Sequence, residues 1–432
     1  MRALKILIIA VVALAGAAYA YAWRSAHSPI ERPAASTFAA ADVKQGAVLA
    51  AIGNCSTCHT ADGGAAYSGG RAVETPFGNI YATNITPDPA TGIGRWSEAA
   101  FGRAMREGVS RDGRHLYPAF PYDHMAKVND ADIKSVYAFL MTRAPVAVTS
   151  TPPNTVGFPY SMRSLVAGWK LLYHDRSPYR PDASKSADWN RGAYLVEGLV
   201  HCGSCHTPRN SFGAEDRSRA YAGAEVAGWT APALGATSSA AVPWTAERLA
   251  DYLAKGRSPQ HGVAAGPMAP VIRNLAGVPD ADVKAIATYV ASLAGTPSNE
   301  RQALATRTLA RAEGARAKGE GEPVRSAAAA SPGAAIYAGA CAQCHGEAAR
   351  APAEPALNLA LSTSVRSTSS SNLVRIVLGG IQQAGNAPGP HMPGFANALT
   401  DKQTADLVEF VRASFTERPA FNGVEVAIRK AR

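Results

Sequence analysis

An all-α chain of three tandem domains behind an N-terminal apolar helix is what the 432-residue sequence predicts, on three observations. The pattern Cys-x-x-Cys-His occurs three times, at Cys55, Cys58 and His59, at Cys202, Cys205 and His206, and at Cys341, Cys344 and His345, and it uses all six cysteines. Downstream of each copy lies a segment whose apolar residues recur at helical spacing. The stretches around the first two copies also repeat one another in outline, the mark of a duplicated unit.

In a Cys-x-x-Cys-His motif two thiols bind the vinyl groups of a haem while the adjoining imidazole ligates its iron. The nine motif residues are therefore candidate cofactor ligands, with His59, His206 and His345 on iron, and the expected cofactor is three covalently bound haem c. Zinc sites, redox dithiols and disulfides use the same Cys-x-x-Cys spacing. A zinc ribbon brings two such pairs within about 15–20 residues, whereas Cys58 and Cys202 lie more than 100 positions apart. None of the pairs sits in the strand–helix setting of a thioredoxin motif.

Hydrophobic residues make up 47% of the chain and aromatics 7%. In small haem domains the porphyrin itself completes the core, so this apolar content understates the core. The formal charge of +10 is likewise an overcount, because three haems bring two propionates each. Basic patches steer an acidic redox partner, and no motif supports nucleic-acid binding. No second cofactor motif, catalytic triad or phosphate loop is present, so a substrate is not encoded.

Residues 1–30 are expected to be a signal or membrane anchor. Arg2 and Lys5 precede an 18-residue charge-free run ending at Trp23, which reaches the lower limit for a membrane span. By the positive-inside rule the haem domains then lie on the periplasmic side of the bacterial inner membrane. Ala18-Tyr19-Ala20 and Ala20-Tyr21-Ala22 resemble cleavage sites. A retained anchor is the expectation, with cleavage to a soluble periplasmic protein as its alternative.

The first haem domain is placed at 38–145. A helix beginning near Ala41 leads into Cys55 and carries Gly46, at a spacing that allows close helix approach. A closing helix, capped near Asn129 and Asp130, aligns Ile133, Val136, Tyr137 and Leu140 on one face. Residues 146–182 read as a proline-rich linker in which Met162, Leu165, Val166 and Trp169 form a short helix packed on a neighbour. The second domain, 183–296, repeats the first: Asp188 and Gly192 parallel Asp42 and Gly46, Trp244 parallels Trp96, and Asp280 parallels Asp130. Its closing helix carries Val283, Ile286 and Val290 at helical spacing. Residues 297–330, rich in alanine, glycine and charge, read as a partly helical linker. The third domain, 331–418, closes on a helix with a capping box at Thr400 and Gln403 before Leu407, Phe410 and Val411. The tail, 419–432, has no assigned role.

A methionine opposite the histidine raises a haem's potential. Met268 lies 12 positions before Asp280, and Met392 lies 9 before Asp401, each in the loop ahead of a closing helix. Both are candidate metal ligands; the alternative for each is core filling, methionine's commonest use. The first domain departs from this pattern and has Phe120 where the others suggest a sulfur. Met125 is the first choice there, with Met141, Met105, His124, His115 and an open position as competitors. His27, His174, His201 and His261 are assigned ordinary surface or packing roles.

The run Asn84-Ile85-Thr86-Pro87-Asp88, with Gly92 to Ser97 and Leu116 to Tyr122, resembles the three-haem cytochrome c subunits of bacterial membrane-bound dehydrogenases. Quinoprotein alcohol dehydrogenase and flavin-dependent gluconate dehydrogenase have such subunits. Cys205-His206-Thr207-Pro208-Arg209-Asn210 extends the likeness, which covers most of the chain from Ala41 to Phe415. The Ala119-Phe120-Pro121-Tyr122 form is similar to the branch paired with molybdenum hydroxylases of N-heterocycles, such as nicotinate dehydrogenase or isoquinoline oxidoreductase. The resemblance implies a relay with no catalytic residues of its own. Electrons pass from a partner dehydrogenase (quinoprotein, flavoprotein or molybdenum hydroxylase) to ubiquinone, a terminal oxidase or another cytochrome. Two other readings stand beside it: a peroxidase-like enzyme with a five-coordinate first haem, and a soluble shuttle.

Overall fold

No proline and no acidic residue interrupts Arg2–Ala22, which forms one 21-residue helix, α1, with Leu4, Ile6 to Ile9, Val11, Val12 and Leu14 exposed. It is long and apolar enough to cross a membrane. The structure, a computed structural model, describes residues 1–318, 331–346, 352, 354–381 and 391–432. The chain divides into two units. One holds Met1–Asp182 with Glu197–His201 and Arg209–Ala214; the other holds Ala183–Val196, Cys202–Pro208 and Glu215–Arg432.

In the first unit α1 is followed by α2 (Ala40–Ile52), the one-turn α3 (Cys55–Cys58), and the hairpin of β1 (Ala72–Thr75) and β2 (Gly78–Tyr81). Then come α4 (Glu98–Glu107), α5 (Tyr122–Met125), α6 (Asp130–Met141) and α7 (Leu165–Tyr173). α2 and α6 pack directly, and Gly46 makes this possible. A Cβ there would overlap the Ser135 carbonyl and stand 2.8 Å from Phe139 Cβ. Asn129 caps α6 by accepting from Asp132 N at 2.8 Å. The predicted apolar face of Ile133, Val136, Tyr137 and Leu140 is buried.

The second unit contains most of α8 (Ala187–Glu197), then α9 (Gly203–His206), β3 (Ala224–Val226), β4 (Trp229–Ala231) and α10 (Ala246–Lys255). β5 (Arg257–Ser258), β6 (Gly262–Val263), α11 (Met268–Leu275), α12 (Asp280–Ser292) and α13 (Asn299–Lys318) follow. The last part comprises α14 (Pro332–Ala340), α15 (Ala342–His345), α16 (Thr363–Arg366), α17 (Ser371–Gly379), α18 (Asp401–Phe415) and α19 (Val424–Ala431). The close contact of α2 with α6 recurs twice here. A Cβ on Gly192 would overlap the Ala285 carbonyl and crowd Tyr289 Cβ at 2.9 Å; on Gly333 it would overlap the Asp406 carbonyl and crowd Phe410 Cβ at 2.7 Å. In all three crossings the glycine meets a carbonyl and the aromatic residue four positions later.

Within this unit the β3–β4 hairpin and α17 are joined by backbone recognition. Asn372 Oδ1 accepts from Thr230 N at 2.8 Å while its Nδ2 donates to Thr230 O at 2.8 Å. Arg375 Nε donates to Gly228 O at 2.7 Å.

Several expectations change on inspection. The all-α reading omits three two-stranded antiparallel hairpins among the described residues, which satisfy backbone groups in the loops after the first two motifs and after α10. Residues 299–318, within the segment read as a partly helical linker, do form a helix, α13, but it is packed: its Ala305 is buried against Ala241, Val242 and Leu361. The remainder of that linker, 319–330, lies outside the described residues. The tail is a core element: Val424, Ala427 and Ile428 of α19 are buried in one core with residues of α14, α17 and α18. In the 146–182 segment the short helix exists and buries Val166, but Leu165 and Met162 point outward.

Candidate haem sites

Each motif sits where the chain leaves its first helix. Asn54 adopts the left-handed conformation, φ 53°, just before Cys55, and His201 does so, φ 45°, just before Cys202. Asparagine and histidine tolerate this region better than most residues, which gives His201 a local backbone role. None of the six cysteines is in a disulfide. Among the described residues no motif cysteine belongs to a cluster of three or more His, Cys, Asp or Glu donors placed to share an ion.

The three histidines are held alike. Nδ1 of His59 lies 2.6 Å from Thr83 O, Nδ1 of His206 lies 2.7 Å from Pro232 O, and Nδ1 of His345 lies 2.8 Å from Leu357 O. A carbonyl only accepts, so Nδ1 carries the proton and Nε2 keeps its lone pair for a metal. Burial pushes all three imidazoles below the ordinary histidine range, against the opposing effect of the carbonyl bond. Two thiols on one helical turn beside a neutral, oriented imidazole form a donor set that fits a covalently attached haem.

The Asn84-to-Asp88 run shapes the first of these carbonyls. Asn84 Oδ1 accepts from Thr86 N at 2.9 Å and Thr86 Oγ1 at 2.7 Å, while Nδ2 donates to Val146 O at 2.7 Å. Asp88 Oδ1 accepts from Thr91 N at 2.6 Å and Thr91 Oγ1 at 2.8 Å, which holds its carboxyl below the usual range. This buried loop immediately follows Thr83, the acceptor for His59. The acceptor carbonyls escape sequence reading because a backbone oxygen has no residue signature.

The loop after α4 and the loop after α10 share a register. Gly108 and Gly256 both end their helices in the left-handed conformation. Leu116 N donates to Gly108 O at 2.7 Å, and Ala264 N donates to Gly256 O at 2.8 Å. Counting four residues on from each makes Phe120 the positional counterpart of Met268. Counting from the far end, Ala126 N bonds Tyr122 O as Ala276 N bonds Ile272 O, which makes Met125 the counterpart of the buried Leu275. Met125 is itself buried. Met268 begins α11 and is half-buried. Met392, also half-buried, lies on an antiparallel bridge with Ile381 and packs against the third core.

Among the competitors for the first haem, His115 has both ring nitrogens engaged. Nε2 donates to Ala22 O at 2.8 Å, and Nδ1 accepts from Lys170 Nζ at 3.0 Å. His124 holds Nδ1 2.9 Å from Glu197 O. Met141 and Met105 are buried in α6 and α4. His174 bonds Arg106 O at 2.9 Å through Nε2, and His261 stacks on Trp244 at 3.4 Å.

Helix pairs that close over Cys-x-x-Cys-His turns with oriented histidines define a c-type cytochrome. The cytochrome c family profile matches residues 43–144 and 330–414. The nicotinate dehydrogenase of Pseudomonas putida has one component that is 45% identical over 429 residues, covering 95% of this chain and 34% of that protein. The chain thus spans about a third of that relative's length. The fructose dehydrogenase cytochrome subunit of Gluconobacter japonicus is 35% identical, covering 86% of this chain and 79% of its own. The gluconate 2-dehydrogenase cytochrome c subunit of Pantoea cypripedii is also 35% identical, with 86% and 85% covered. The chain belongs to the cytochrome c subunits of dehydrogenase complexes, haem-bearing electron-transfer components rather than catalytic subunits.

Proposed function

We propose that the chain binds three haem c groups, at Cys55, Cys58 and His59, at Cys202, Cys205 and His206, and at Cys341, Cys344 and His345. It relays electrons from a catalytic dehydrogenase subunit to ubiquinone, a terminal oxidase or another cytochrome. The work is done at the periplasmic face of the inner membrane, where α1 holds the chain. When bound, each haem supplies a one-electron iron couple. The protein's part is to hold that couple in place, and the observation that carries this reading is the threefold bond from histidine Nδ1 to a backbone carbonyl.

Met268 and Met392 complete the second and third sites, and Met125 the first. A second reading of the first site, an open sixth position, is favoured by the register that makes Phe120 the counterpart of Met268 and Met125 that of Leu275. For the partner, the 45% identity to a nicotinate dehydrogenase component over 95% of the chain supports a dehydrogenase acting on an N-heterocyclic acid. Affinity purification of the tagged chain from its membranes, followed by quinone reduction with candidate substrates, tests the assignment. Co-elution of a large dehydrogenase subunit is the expected result; substrate oxidation by the isolated chain would overturn it.

A further inference from the structure

Helix α7 is built with its polarity reversed. At 3.6 residues per turn Val166, Ala167 and Lys170 share the buried side, while Leu165, Gly168, Leu171 and Leu172 share the exposed one. Leu165 is 49% exposed, Leu171 70% and Leu172 73%, with no charged residue among them. Phe158, Tyr160 and Met162, just upstream, are exposed as well. So is Phe212, whose carbonyl accepts from Trp169 Nε1 at 2.9 Å. Among the described residues beyond Trp23, Val426 is the one exposed large hydrophobic outside this region. Soluble surfaces rarely leave so concentrated an apolar face without something to cover it.

The position of α7 relative to α1 identifies the cover. Lys170 Nζ donates to Glu107 O at 2.6 Å, Gly108 O at 2.7 Å and His115 Nδ1 at 3.0 Å. His115 Nε2 in turn donates to the carbonyl of Ala22, the last residue of α1, and α7 itself packs on α1. The end of α1 tied in this way carries exposed Tyr19, Tyr21 and Trp23. Such aromatics mark the headgroup level of a bilayer.

We propose that the outer face of α7, with the Phe158-to-Met162 loop, lies in the headgroup region of the lipid bilayer beside the α1 span. This is a monotopic contact that fixes how the haem-bearing part is oriented over the membrane. The proposal rests on the reading of α1 as a span and adds a second point of attachment. The full-length haem-loaded chain is to be reconstituted in phosphatidylcholine–phosphatidylglycerol vesicles carrying a diazirine-acyl phosphatidylcholine, irradiated, and mapped by peptide mass spectrometry. Label in both α1 and the 171–176 peptide is expected, with none around Val426. The double variant Leu171→Glu, Leu172→Glu loses label at 171–176 while keeping it in α1 and keeping its haem spectrum. Label confined to α1 overturns the proposal and leaves the span intact, and cross-linking of 171–176 to a co-purified protein overturns it in favour of a protein cover. Absence of label from α1 as well overturns the span reading.

Discussion

His59 Nδ1 and the carbonyl of Thr83 lie 2.6 Å apart, 24 residues distant in sequence, and this bond orients the first candidate iron ligand. Its carbonyl is held by a loop rather than by a helix or sheet, so loosening that loop reaches the imidazole. Asn84→Ala removes the side-chain bonds to Thr86 and Val146 and leaves buried partners unmatched. A loss of about 2–3 kcal/mol is expected, with a broadened signal from the first haem alone in electron paramagnetic resonance.

Gly192→Ala places a methyl group against the Ala285 backbone, which has no rotamer with which to move aside. The expected cost is about 1–3 kcal/mol or more, read as a lower denaturant midpoint by circular dichroism. Gly168→Ala, on the exposed side of α7 with nothing within 4 Å of a Cβ, serves as the control and shifts the midpoint little.

Removal of a sulfur ligand lowers a haem's potential. Met268→Ala and Met392→Ala are each expected to lose one methionine resonance in the paramagnetic proton spectrum and to lower one potential. Met125→Leu tests the first site: loss of a further resonance supports ligation by Met125, and an unchanged spectrum excludes Met125 in favour of the open position or of Met141, Met105 or His124. Phe120→Met, at the register of Met268, is expected to add a resonance if the position is open.

Burial pushes Lys170 down from 10.5 to about 7. The unfolded chain keeps its ammonium proton up to the ordinary value, so between pH 7 and 10.5 the unfolded state binds more protons. Stability therefore rises with pH across that window and is flat with respect to this group below it, by a few kcal/mol on the order of the shift. Denaturation followed at pH 7 and pH 9 should show the rise, and Lys170→Met should remove it.

The motifs, the closing helices and their caps were legible because each rests on local chemistry. Asn129 caps α6, and Thr400 and Gln403 make both bonds of the capping box. Gly46 was readable as a close-approach residue, and Gly333 was readable on the same ground, lying 8 positions before Cys341 as Gly46 lies 9 before Cys55. α19 was also within reach, since Val424, Ala427 and Ile428 keep helical spacing. The inverted α7 was not, because burial of Lys170 depends on three acceptors brought in from distant segments. The acceptor carbonyls of Thr83, Pro232 and Leu357 belong to the same class: their position is a property of the folded backbone.

The number of covalently held haems tests the central claim most directly. Intact mass of the protein purified from the membrane fraction, compared with variants in which each cysteine pair is replaced by serine, counts them. The account predicts three porphyrins on the parent chain and two on each paired variant; a colourless protein, or a parent chain with fewer than three, would contradict it.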